Sequence, residues 1–218
     1  MIVELSHPVI EGMTTYPGIP GPVLGTHLSR EDSKQLYAEG TQFHIGLITL
    51  AANTGTYVDT PFHRYADGTD LATTPLDRLA DLPGLKISVT EAGARAIGVD
   101  AFTGLDVRGR AVLLHTGWDV RFGTPAYVGG HPYLAPEAAR WLVEQGAALV
   151  GIDSLNIDDT PARGPRPAHT LLLAAGIPIV EHLTGLGALP AEGFRFHAAP
   201  PMVAGMGTFP VRAYAVLG

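Results

Sequence analysis

Between Asn53 and His63 the chain reads Asn-Thr-Gly-Thr-Tyr-Val-Asp-Thr-Pro-Phe-His, which puts an amide, a phenol, a carboxylate and an imidazole at positions 53, 57, 59 and 63. Successive side chains of an extended strand point to opposite faces, so Asn53, Tyr57, Asp59 and His63 are expected to project together. One small ligand or ion would then lie within reach of all of them. The intervening Thr54, Thr56, Val58, Thr60 and Phe62 are β-branched or aromatic and suit packing against a neighbouring layer. Gly55 admits a close approach or unusual dihedrals, and Pro61 removes a ladder donor, which places the strand end at an edge. The alternative is a solvated face of an antiparallel sheet. The preceding Ile45-Gly46-Leu47-Ile48-Thr49-Leu50-Ala51-Ala52 is almost continuously apolar and favours a strand that starts in a core, with the polar stripe lining a cleft.

The elements that must hold this stretch follow from local signals. Tyr16-Pro17-Gly18-Ile19-Pro20-Gly21-Pro22 is too rich in turn formers for a regular helix and reads as an arm that drapes over a cleft or packs on a partner. Arg30 to Lys34 reads as a solvated loop. Asp67-Gly68 marks a tight turn, and Thr74-Pro75 starts a short helix with Thr74 as its cap. Strands are expected at Leu85–Thr90, Ala111–Thr116, Ala148–Asp153, Ile177–Glu181 and Val211–Leu217. Helices are expected at Pro136–Gln145, stopped by Gly146 with Trp141 and Leu142 inward, and at Pro167–Ala175, stopped by Gly176. Strands and helices alternating in the second half argue for an α/β domain with a mixed sheet.

At 218 residues one domain spanning 1–218 is expected. A net charge of −7 and no basic run argue against a nucleic-acid partner. No stretch has the length or flanks of a signal peptide or membrane span, so a cytoplasmic protein with no membrane partner is expected. Charged residues are only 16%, so part of the surface is expected to be buried in a homodimer or homotetramer. With no cysteine, any metal must sit on imidazole and carboxylate.

A second polar pair lies downstream. His169 falls in the first turn of the Pro167 helix and Glu181 ends the next strand, and ligands gather at strand ends in α/β sheets. A loop carrying Asp153, Asn156, Asp158 and Asp159 lies nearby in sequence.

The stretch 53–63 resembles the motif His-x-Gly-Thr-His-x-Asp-x-Pro-x-His of the cyclase family of metal-dependent hydrolases, which includes bacterial kynurenine formamidase and isatin hydrolase. Gly55, Thr56, Asp59, Pro61 and His63 match in place. Tyr16-Pro17-Gly18, Leu114-His115-Thr116-Gly117-Trp118, Gly151-Ile152-Asp153 and the block from His169 to Glu181 resemble further family motifs in the same order. Two signature histidines are replaced, by Asn53 and Tyr57. The resemblance implies a swivelling β/β/α-type single domain. It also implies one divalent ion, zinc or manganese, on Asp59, His63, His169 and Glu181. The chemistry implied is hydrolysis of a C–N or C–O bond in a small amide, lactam or lactone, as in an arylformamidase. Tyr57, Asp59, His63, His169 and Glu181 are then the candidate catalytic residues, and Tyr16, Asn53 and Trp118 the candidate contacts to a small-molecule substrate. Loss of two histidines leaves two alternatives: a metal-free acid/base enzyme (isomerase, dehydratase or hydrolase) using a His/carboxylate set, and a ligand-binding homologue without turnover. No cysteine nucleophile and no Gly-x-Ser-x-Gly elbow is present to support a covalent acyl-enzyme.

Overall fold

The computed structural model describes residues 1–90 and 95–218. Along the chain run β1 (Ile2–Glu4), β2 (Val23–Leu28), α1 (Arg30–Ser33), β3 (Ile45–Thr49), β4 (Tyr57–Asp59), β5 (Leu82–Ser88), β6 (Ala96–Ile97), β7 (Ala111–His115) and β8 (Tyr133–Leu134). There follow α2 (Pro136–Gln145), β9 (Leu149–Ile152), α3 (Pro167–Ala174), β10 (Ile179–Glu181), β11 (Glu192–His197), β12 (Thr208–Pro210) and β13 (Tyr214–Leu217). Nine strands form one mixed sheet in the order β1-β13-β11-β5-β7-β9-β10-β4-β12. Its middle, β5, β7, β9 and β10, is parallel, and every other pairing is antiparallel. A mixed α/β sheet is what the alternating signals predict.

The parallel strands are apolar without alternation because both of their faces are covered. Val112, Leu114, Val150, Ile152 and Ile179 pack against α2 and α3 through Leu142, Ala168 and Leu172. Leu113, Leu149 and Val180 point the other way, into a second core with Leu5, Leu183 and Phe196. Burying a side chain of this size contributes about 1.5–3 kcal/mol, so these two layers fix β10 and α3, the carriers of Glu181 and His169. Helix α2 has the expected ends: Pro136 occupies its first turn and Gly146 closes it at φ 78°. Leu142 is fully buried and Trp141 packs on Phe102 with ring centroids 5.5 Å apart.

Five local expectations are corrected. The stretch 53–63 is not one strand: only Tyr57–Asp59 is extended, and Pro61–His63 turns into a 3-10 helix with Pro61 in its first turn. Strand β4 is also not an edge, since it lies between β10 and β12. The apolar run from Ile45 does not enter the core: β3 pairs only with β2 in a separate ribbon, with Leu47 56% and Ile48 55% exposed. Arg30–Ser33 is a short helix, not a loop, because Ser29 caps it by accepting from the Asp32 N–H. Thr74 does not cap the following turn, which starts after Pro75; its hydroxyl donates to the Asp70 carbonyl instead.

The 3-10 turn is packed against backbone. A Cβ at Gly207 would fall 2.2 Å from the His63 nitrogen, while the Gly207 carbonyl accepts from both the N–H and the hydroxyl of Thr60. No shift of a flexible side chain relieves that overlap. Gly207→Ala is therefore expected to lower stability by about 1–3 kcal/mol and to displace His63, read as a reduced denaturant midpoint together with reduced activity.

Candidate active site

Directly opposed residues of an antiparallel pair share a face. Glu181 stands opposite Tyr57, Ile179 opposite Asp59, and Thr208 of β12 opposite Asp59 on its other side. The register therefore gathers Tyr57, Asp59, Thr208 and Glu181 on one patch of sheet. His169 is lowered onto that patch by α3. Its position is set by Asp158, whose carboxylate accepts from the Ala168 and His169 N–H groups and bonds the His169 Nδ1 at 2.7 Å. The His169 Nε2 is left facing Asp59 Oδ2 at 3.6 Å and Glu181 Oε1 at 3.7 Å.

These separations are too long for good hydrogen bonds. They match what a shared ion needs, because two ligand atoms each about 2.0–2.2 Å from a tetrahedral ion stand roughly 3.4 Å apart. Asp59 is fully buried, and its Oδ2 has no hydrogen-bond partner among the described residues. Ligand atoms of Asp59, His63 and His169 all lie within 4.8 Å of one another. Glu181 falls outside that trio but adjoins His169. Its Oε1 accepts from the Ile157 N–H at 2.6 Å, its Oε2 from the Tyr57 hydroxyl at 2.6 Å and from Asn156 Nδ2 at 3.3 Å.

The electrostatics ask for a cation. Burial raises the Glu181 carboxyl to about 7, and the charge of Asp59 adds to it against His169, Tyr57 and Ile157. Burial acts to lower the His169 imidazole, yet Glu181, Asp158 and Asp59 together raise it to about 10. Burial likewise opposes ionisation of Asp59, but His169, His63 and Thr208 hold its carboxyl below the usual range. A protonated His169 is thus the charge that two buried carboxylates demand. A divalent ion meets the same demand, so the donor set fits one. The Tyr57 phenol is pushed well above 10 by burial, then by Glu181 and Asp59, and stays a protonated donor.

His63 is the more open imidazole, with its side chain 35% exposed. Thr208 donates its hydroxyl to Asp59 Oδ1, so its oxygen accepts from His63 Nδ1 at 2.8 Å and leaves His63 Nε2 as the free lone pair. Sequence reasoning missed Thr208: it sits on a three-residue strand in the Gly- and Met-containing run from Gly205, which carries no periodic signal.

A cavity of about 490 Å³ opens over this patch. Tyr57, His63, His169 and Glu181 reach it, with Tyr16 and Asn53 also in its wall. Asp59 does not line it and lies behind the imidazoles. Trp118 is a correction: it lies outside the cavity lining, its indole N–H donates to the Tyr127 carbonyl, and Arg121 stacks on its ring at 3.9 Å. Asn156, Arg64 and Arg166 line the cavity instead. Gly55 takes φ 64°, and its N–H donates to Thr15 Oγ1, tying the Asn53 side of the wall to the N-terminal arm. His182, the residue after Glu181, sits at φ 56°, a conformation that costs a non-glycine residue energy and is held here by the Thr56 hydroxyl on its carbonyl.

The family model Cyclase matches residues 3–159. The chain belongs to the cyclase family. Kynurenine formamidase of Geobacillus thermodenitrificans (strain NG80-2) is 32% identical over 185 residues, covering 81% of each chain. A solved structure described as a potential metal-dependent hydrolase with cyclase activity is 26% identical, with a TM-score of 0.77 over 99% of this chain and 96% of that one. An isatin hydrolase bound to the product analogue thioisatinate shares the fold at 23% identity, with a TM-score of 0.83 over 100% of this chain and 92% of that one. This cyclase-family chain is accordingly an enzyme, a hydrolase. Among the described residues no helix is long and apolar enough to cross a membrane.

Proposed function

We propose that this enzyme hydrolyses a C–N or C–O bond of a small amide, lactam or lactone, in the manner of an arylformamidase. One divalent ion, zinc or manganese, would be held by Asp59, His169 and Glu181 with His63 at its edge. The observation that carries this reading is the unpartnered Asp59 Oδ2 facing His169 Nε2 beneath a cavity of substrate size. The names of the relatives supply the reaction class. Bound there, the ion supplies Lewis acidity and a nucleophile from water near neutral pH.

The chain's own residues divide the remaining work. Asp158 occupies Nδ1 of His169, so Nε2 is the nitrogen that would give up its proton to take an ion. Tyr57 commits its one proton to Glu181 and therefore positions that carboxylate rather than serving as an oxyanion donor. Oxyanion donation falls to the amides of Asn53 and Asn156 on the cavity wall. His63, oriented through Thr208 by Asp59, takes a proton at Nε2 and passes it to the leaving nitrogen or oxygen.

A metal-free acid/base reading has one observation in its favour: both Glu181 oxygens already accept hydrogen bonds. Hydrolysis of formanilide, a lactam and a lactone with and without excess chelator separates the two. Loss of rate in chelator and recovery with zinc or manganese supports the ion, and full rate in chelator supports the alternative.

We also propose a homodimer or homotetramer. A two-stranded ribbon is marginal alone, yet β2 and β3 expose Val23, Leu24, Ile45, Leu47 and Ile48. Sedimentation is expected to give a dimer or larger, and Leu47→Asp with Ile48→Asp a monomer. A monomeric parent would contradict this.

A further inference from the structure

Two arginines, Arg64 and Arg166, line the cavity that the hydrolase reading uses, and nothing in that reading employs them. Arg64 directly follows His63 and is exposed; Arg166 precedes α3 and is half-buried. Both are positioned. The Arg64 Cζ lies 5.5 Å from the Tyr65 ring centroid, and Tyr65 is tied to α3 by its hydroxyl donating to the Thr170 carbonyl at 2.9 Å. Arg166 Nη1 donates to the carbonyls of Asp159, Gly164 and Pro165 at 3.0–3.3 Å. Its Nε and Nη2 make no hydrogen bond among the described residues, which leaves one edge of the guanidinium fork open. Neither arginine forms an ion pair among the described residues, although four other arginines do.

The setting makes this unusual. The chain carries 14 Lys and Arg against 21 Asp and Glu, so its mean field is negative. Around this cavity, among the described residues, Glu181 is the one acidic side chain in the lining, and it lies on the floor beside His169. The arginine side of the lining is therefore locally positive, with donors and no acidic side chain. A planar guanidinium held by one nitrogen and open along its other edge is suited to a carboxylate, and charge-assisted pairs of this kind are stronger than neutral ones.

We infer that Arg64 and Arg166 form an anion-reading wall, and that the substrate is an acyl compound carrying a carboxylate beside the bond to be cleaved. This rests on the hydrolase reading for the position of that bond, and adds the substrate's charge. Arg64 and Arg166 are specificity residues here: they hold the anionic end while the scissile carbonyl lies over His63 and His169. An aryl carboxylate fits a cavity of about 490 Å³ that also presents Tyr16 and Ile19.

Calorimetry on the protein as purified tests this with 2-aminobenzoate and its neutral match, 2-aminobenzamide. The carboxylate is expected to bind at least tenfold more tightly, and the ratio of the two affinities is expected to fall toward one in Arg64→Gln and in the Arg64→Gln/Arg166→Gln pair. The Arg64 side chain makes no hydrogen bond or ion pair among the described residues, so its variant keeps the inference testable should the change at Arg166 disturb the start of α3. Equal affinities in the parent, binding of neither probe, or a ratio that survives in the double variant would each overturn the inference; the last would mean that the floor of the site reads the carboxylate. Hydrolysis of formanilide and of its carboxylate counterpart 2-formamidobenzoate, followed in parallel, reports on the hydrolase reading. A carboxylate preference in binding with turnover of neither compound would sink that reading and leave the anion wall standing.

Discussion

Asp59→Asn is expected to lower hydrolysis at least about a thousandfold while the protein still folds. The two halves of that expectation come from the two oxygens of one carboxylate. Oδ1 accepts the Thr208 hydroxyl, and the amide oxygen of asparagine can accept the same bond. Oδ2 has no hydrogen-bond partner among the described residues and faces His169 Nε2 at 3.6 Å. An NH2 group there offers protons where a cation should be held, so it removes a ligand and an anionic charge together. Loss of an ion that supplies the nucleophile removes most of the rate enhancement it provides. Steady-state kinetics on formanilide and a denaturant unfolding curve measured on the same preparation check both halves. Comparable activity in the variant would contradict the assignment, whereas a collapsed fold would show that the carboxylate is structural.

His63→Gln has the second largest expected effect, a fall of about 10²- to 10⁴-fold in kcat, the range for removing a general acid/base. It is expected to leave the bound ion in place. His63 differs from His169 in that its side chain is 35% rather than 7% exposed, and its Nδ1 is held by a hydroxyl rather than a carboxylate. It therefore stands at the open side of the cluster, where a leaving group passes. Glutamine keeps a group able to bond Thr208 but cannot carry a proton between substrate and solvent. Elemental analysis and kcat measured together decide the point. Loss of ion and activity in parallel would make His63 a full ligand and move the proton transfer to another group.

Much of the scaffold was legible because its signals are local. Pro136 and Gly146 bracket α2 at both ends, and the apolar runs of β7 and β9 follow from burial on two faces. The four ligand candidates were legible as residue types at strand and helix ends. The manner of their meeting was not. Asp59 and His63 converge because Pro61 starts a 3-10 turn, and not because alternate residues of one strand agree. Thr208 was invisible, since strand β12 owes its existence to pairing with β4 rather than to any pattern of its own. The run from Ile45 misled for a different reason: an apolar strand reads alike whether its cover is the protein's own core or another surface. Here it lies in the exposed ribbon. Tyr57, expected among the catalytic residues, instead points its hydroxyl at Glu181 and positions that carboxylate.

The most direct test is the metal content of the protein purified without chelator, measured beside Asp59→Asn. About one zinc or manganese per chain in the parent and none in the variant is the expected result. A parent that hydrolyses its substrates at full rate with no ion bound would contradict the account.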